Sequence, residues 1–255
     1  MIREDDEVGE SVNQSRIVFA FLCGWSVALL GGLLLARLLP GEFWRSAGTV
    51  GRLGSSCILV ALAWWQWRMV QTRWKSYGLL IFQGILLGTV GDFSNAQLFA
   101  WNPLGSPTLG AIVAFGLGHI CYILAILGLL RRTRPLRFFP FVFATVWWQA
   151  FAAIAWFWIV FKSPKSEGLL WPALGYCILL AGTTSAATVL AWHRVFLLPL
   201  AGGSALFLIS DLILAVGLFQ GSFPFQSEAV WLTYGPGQML IVLSIVLVER
   251  KWPSD

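Results

Sequence analysis

Apolar residues run along the chain in eight long stretches, at 17–38, 53–71, 77–100, 109–130, 138–161, 168–191, 195–219 and 229–248, separated by short polar or turn-forming segments. A bilayer core takes about 20 apolar residues in a helix, so each stretch predicts one transmembrane helix. The expected fold is an all-α polytopic membrane protein. It comprises a short polar tail at 1–16 followed by a single eight-helix membrane domain at 17–250.

Composition sharpens this picture. Of 255 residues, 58% are hydrophobic and 11% charged, with 15 Trp and 19 Phe, a balance that suits a lipid solvent. The tail "MIREDDEVGESVNQSR" is too short and acidic to fold alone and lacks the positive start of a signal peptide, so helix one is expected to stay. Eight spans put both termini on one side. Arg3, Arg16, Arg68, Arg73, Lys75, Arg131, Arg132, Arg134, Arg137, Arg194, Arg250 and Lys251 fall there, against Arg37, Arg45, Arg52, Lys162 and Lys165 opposite. The positive-inside rule then makes both termini cytoplasmic, with the cell membrane as the expected location. The net charge of +5 reads as a topology signal. The basic run "RRTRPLR" is a short interhelical loop and not a nucleic-acid surface. Cys23, Cys57, Cys121 and Cys177 all lie in spans without a CxxC pair and read as small core residues. The Trp groups at 64, 65 and 67 and at 147 and 148 read first as belt or packing residues.

Two acidic residues break the pattern. Asp92 and Asp211 sit deep in spans, and an ionisable group there costs about 2.5–3.5 kcal/mol on insertion scales and usually marks a site. Bonding to a neighbouring helix is the plainer role for either alone. Their depths agree, however. Asp92 follows Lys75 by 17 residues and Asp211 follows Arg194 by 17, which sets both about 25 Å from the cytoplasmic edge. His119, 12 residues before Arg131, lies about 18 Å from that edge, as a core residue or a site residue. No HxxxH or HxxE spacing supports a metal, and no cofactor is expected.

An offset of 119 to 120 residues aligns the chain with itself. "CILVA" from Cys57 meets "CILLA" from Cys177, Lys75 meets Arg194, Asp92 meets Asp211, Ala96 meets Ala215, and "GHI" at Gly118 meets "GQM" at Gly237. The series suggests repeats 17–135 and 136–250, related by an axis along the membrane normal. Gln238 is then the counterpart of His119. A central pocket holding Asp92, Asp211, His119 and Gln238 follows, with the carboxyls about one water apart.

Close buried carboxyls tend to share one proton, so one can act as general acid and the other as general base. Three protein classes use such a pair. Intramembrane aspartyl proteases need YD and GxGD contexts, whereas Asp92 follows Thr89-Val90-Gly91 and Asp211 follows Ser210. A proton-coupled transporter suits the repeat, but paired Gly/Pro interruptions of the deep helices are missing; it stands as the alternative function. The third class is a lipid hydrolase.

Here the residues carry a resemblance. "GDFSNAQLF", "GAIVAFGLGHICYI", "GGSALFLISDLILAVGLF" and "YGPGQMLI", ordered from about Lys75 to Ile241, resemble the YhhN-like family of eight-span lysoplasmalogenases. The chain departs from the family in having Ser76 after Lys75, where Lys-Pro is usual, and in a longer loop "WNPLGSPT". The resemblance implies hydrolysis of a lysoplasmalogen's vinyl ether to a fatty aldehyde and a glycerophospho-alcohol, with Asp92 and Asp211 as the essential aspartates and a membrane lysophospholipid as substrate. His119, Tyr122, Asn95 and Gln238 are candidates for positioning water or the glycerol hydroxyl. Tyr122 also reads as interfacial packing and Asn95 as a partner of Asp92. Lys75 marks the phosphate end or anchors its helix, the anchor being favoured.

Overall fold

The computed structural model describes residues 2–98, 105–133 and 138–252, with side chains from residue 14 onward. Arg134, Arg137, the Arg3 side chain and residues 101–104 of the loop "WNPLGSPT" lie outside the described residues. The helices are α1 (Ile2–Leu38), α2 (Glu42–Met69), α3 (Lys75–Asn95), α4 (Pro107–Leu130), α5 (Phe138–Trp156), α6 (Leu170–His193), α7 (Leu198–Ala215) and α8 (Gln226–Lys251). α5 and α7 each continue into a wider π-helical turn, Phe157–Phe161 and Val216–Gln220. Eight helical segments are long and apolar enough to cross a membrane, and no strand occurs among the described residues. The chain is an all-α polytopic membrane protein.

Two helix starts differ from the sequence expectation, the first being that of α1, which begins at Ile2 within the stretch 1–16. α2 starts at Glu42, eleven residues before the apolar run at 53, because its first three turns carry Arg45, Arg52, Gly48 and Gly51, which dilute the hydropathy. The glycines are packing residues. A Cβ on Gly32 of α1 would lie 2.8 Å from the Gly48 carbonyl oxygen, and one on Gly51 would lie 2.8 Å from Gly32 Cα. Association in lipid relies on van der Waals contact between backbones rather than on apolar burial, so small residues mark the crossings.

The chain divides into two compact units, Met1–Leu62 and Ala63–Asp255. The first consists of α1 and most of α2. In the second, α6 packs against α4, α5 and α7, while α3 packs on α4 and α8, and α7 on α8. This division does not fall at the 135/136 boundary of the sequence repeat. The reason is that α4 with α6, and α3 with α8, join elements from different halves.

Two crossings of the second unit nevertheless carry the 119-residue offset. α3 and α4 meet where a Cβ on Gly118 would stand 2.9 Å from the Gly84 carbonyl oxygen. α7 and α8 meet where one on Gly203 would stand 2.7 Å from the Gly237 carbonyl oxygen. Gly84 and Gly203 are 119 apart, as are Gly118 and Gly237. Ile81, Ala181, Val189 and Ile245 are fully buried, whereas Phe138, Trp147 and Trp171 are exposed.

Candidate functional site

Asp92 and Asp211 each lie in the last turn and a quarter of their helices, three residues before the end of α3 and four before the end of α7. Local sequence opens space around the first. A Cβ on Gly91 would stand 2.8 Å from the Phe115 ring, and one on Gly88 would stand 2.8 Å from Gln238 Nε2. The glycines of "GTVGD" thus admit two side chains from α4 and α8 beside the carboxylate.

Each carboxylate is held by a tyrosine. The Tyr234 hydroxyl of α8 donates to Asp92 Oδ2 at 2.9 Å, and Gln238 Nε2 donates to that hydroxyl at 2.5 Å. The Tyr176 hydroxyl of α6 donates to Asp211 Oδ2. Phe115 stands between the two phenols, its ring centroid 6.0 Å from Tyr234 and 6.4 Å from Tyr176. Both carboxylates lie within electrostatic reach of both phenols. A phenol gives an ionised carboxylate a charge-assisted hydrogen bond where lipid offers none. The arrangement is therefore two carboxylate–phenol pairs about an aromatic ring.

The two aspartates differ in access. Asp92 is 7% exposed. Asp211 lines a cleft of about 710 Å³, counting its open mouth, formed by the ends of α3, α5 and α7 and the starts of α4 and α6. Its walls are apolar apart from Asp211, Tyr176, Asn95 and Thr108. The two π-helical turns lie along it through Ile159, Val160, Leu218 and Phe219. They are tied together. Gln220 Nε2 donates to the Ile159 carbonyl at 2.7 Å, and Ser163 Oγ donates to that of Phe219 at 2.6 Å. Such turns widen a helix locally and recur at functional sites.

The other expected residues separate. Gln238 supports Asp92 through Tyr234, the position the repeat pointed to. His119 is buried; its Nδ1 pairs with Thr183 Oγ1 at 2.9 Å, while Nε2 has no partner. Its ring packs on Phe207 at 4.7 Å and lies 5.9 Å from Tyr176, so it backs the phenol of Asp211. Asn95 is at the cleft mouth. Tyr122 is 2% exposed with an unpartnered hydroxyl, packed beneath Gly84, which makes it interior rather than interfacial. Lys75 Nζ donates to the carbonyls of Trp67 and Arg68 at 2.8 and 2.6 Å. It closes the end of α2, as an anchor does, and it is not among the cleft residues.

Tyr176 and Phe115 were not singled out from sequence, and Tyr234 entered only as the first residue of "YGPGQMLI", with no role beside Asp92; a signal was present. Against 19 Phe and 15 Trp there are only 4 Tyr, and Tyr77, Tyr122, Tyr176 and Tyr234 all lie within spans. A hydroxyl kept in so apolar a chain needs a partner. No group of three or more His, Cys, Asp or Glu side chains arranged to hold a metal occurs among the described residues.

Compared with known proteins, residues 53–245 match the YhhN family, a range that takes in every residue of this site. No curated protein and no solved structure matches the chain.

Proposed function

Because the chain belongs to the YhhN family, we propose that it is a membrane lipid hydrolase that cleaves the vinyl ether of a lysoplasmalogen. The observation that carries this reading is Asp211, the one acid set in the wall of a largely apolar cleft. An alkenyl chain fits such walls, and its ether end then meets the one carboxyl there.

Asp211, in its protonated form, donates to the β-carbon of the vinyl ether. The π electrons form the new C–H bond, and the positive charge passes to the α-carbon and ether oxygen as an oxocarbenium ion. Water adds to the α-carbon and returns a proton to the Asp211 carboxylate. The hemiacetal hydroxyl then gives up its proton to form the C=O, the bond to the glycerol oxygen breaks and that oxygen takes up a proton, releasing a fatty aldehyde and a glycerophospho-alcohol. One water is consumed and no electrons are exchanged. Asp92, in its ionised form with the Tyr234 hydroxyl donating to it, supplies the negative field that favours the oxocarbenium ion. Tyr176 keeps the Asp211 oxygen in line and His119 supports the Tyr176 ring. By the positive-inside expectation, the cleft opens toward the outer face.

The test is aldehyde release from a lysoplasmalogen by purified protein, beside a saturated ether lipid. Expected are turnover of the first lipid alone and a loss of about 10²–10⁴-fold in both Asp92→Asn and Asp211→Asn, with each variant still folded. Equal handling of the two lipids, or activity surviving in either variant, removes the mechanism.

A further inference from the structure

The Ala63–Asp255 unit has a second pocket, at the opposite end of α3 and α4 from the carboxylates. It holds about 380 Å³, counting its mouth; Arg73, Trp74, Ser76 and Arg132 supply polar lining, and Leu80 and Leu124 lie deeper along the helices. Arg73 and Arg132 stack on the same indole, their guanidinium carbons 5.0 and 4.9 Å from the Trp74 ring centroid. Stacking orients a guanidinium by its face and leaves its N–H edge available.

Those edges are underused. Arg73 Nε donates to Gln71 Oε1 at 3.1 Å, and Arg132 has one long bond, 3.5 Å, to the Arg73 carbonyl. Glu249 comes into the neighbourhood, but its Oε1 accepts the Gln71 backbone N–H at 2.9 Å. No acid among the described residues forms an ion pair with either arginine. Trp74 is 2% exposed, and its indole N–H has no acceptor. Behind it, Trp252 lies 5.5 Å away and carries Arg194 over its own ring at 5.3 Å. Arg194 Nε is likewise buried without a partner. Like charges gathered on one aromatic pair repel unless an anion joins them.

We infer that this pocket binds a phosphate group, with the headgroup of an anionic phospholipid as its occupant. The two guanidiniums offer paired N–H donors to phosphate oxygens, Ser76 adds a hydroxyl, and the floor of Leu80, Leu124 and Leu129 receives the start of an acyl chain. It is not the headgroup end of the hydrolase cleft. Lys75 to Asp92 is 17 residues of continuous helix, about 25 Å. The phosphate and vinyl ether of one lipid are separated by a few bonds, under about 10 Å. The inference therefore stands independently of the hydrolase reading.

Thermal unfolding of the full chain in detergent tests it, with dioleoylphosphatidylglycerol, dioleoylphosphatidylcholine or inorganic phosphate added. Expected is a rise in Tm with phosphatidylglycerol at concentrations where phosphatidylcholine has little effect. Arg73→Gln/Arg132→Gln should need about thirtyfold more of the anionic lipid. If inorganic phosphate gives the same variant-sensitive rise, the site stands with free phosphate as its source. A response to neither probe, or an equal response in wild type and double variant, overturns the site. Should the double variant fail to fold, Arg132→Gln alone, with one long bond to lose, is compared by native mass spectrometry for retained phosphatidylglycerol. Equal retention there also overturns it.

Discussion

Replacing Tyr176 by Phe removes one oxygen and leaves the ring that packs beside Phe115 and His119. That hydroxyl is the one hydrogen-bond donor to Asp211 among the described residues. A bond to a charged group contributes about 1.5–3 kcal/mol. If the full amount is felt in the transition state, turnover falls about 10- to 150-fold. Tyr122→Phe is the matched comparison. It is the same chemical change at a residue 2% exposed, whose hydroxyl has no partner. Removing an unsatisfied buried hydroxyl relieves a desolvation cost, so activity should stay within about twofold and the Tm should hold or rise. Both variants are assayed for aldehyde release from a lysoplasmalogen, and thermal unfolding of each guards against loss of fold. The reasoning fails if Tyr122→Phe loses more activity than Tyr176→Phe. It fails equally if Tyr176→Phe matches the wild type, since Asp211 would then not depend on its phenol.

Gly203→Ala sets a Cβ 2.7 Å from the Gly237 carbonyl oxygen, with little freedom for either helix to retreat; a destabilisation of about 1–3 kcal/mol is expected in thermal unfolding. Gly202→Ala next to it enters open space and should be neutral or stabilising by helix propensity. Lys75→Gln should lower the Tm by loosening the end of α2 while turnover per folded molecule is unchanged; a selective loss of turnover would return Lys75 to the substrate. A reporter fused after Asp255 should be active on the cytoplasmic side, and activity only outside would reverse the topology and the side to which the cleft opens.

Much of this was legible because membrane solvation acts on composition over a whole span. The eight spans followed from apolar run length alone, and the α2 boundary was lost where Arg45, Arg52 and packing glycines lowered the average. Asp92 and Asp211 stood out as charges without neighbours, and the offset that aligned them also reached Gln238. The partners of the carboxylates did not show. Tyr234 is 142 residues from Asp92 and Tyr176 is 35 from Asp211, and no local period links either pair. The offset does not extend to the partners, because it sets Phe115 against Tyr234 and only the latter carries a hydroxyl.

What the amino-acid sequence determined by itself is therefore the solvent, the number of candidate crossings and the position of two acids along their helices. These depend on hydropathy, charge and helical rise, which are additive along a chain. The tertiary structure alone decided which acid meets a cavity and which is sealed behind a phenol and an amide, that Lys75 closes a helix end, and that Arg73 and Arg132 share one indole. Those outcomes depend on how close two backbones come at Gly84 with Gly118 and at Gly203 with Gly237, a matter of shape between distant segments that no single span encodes.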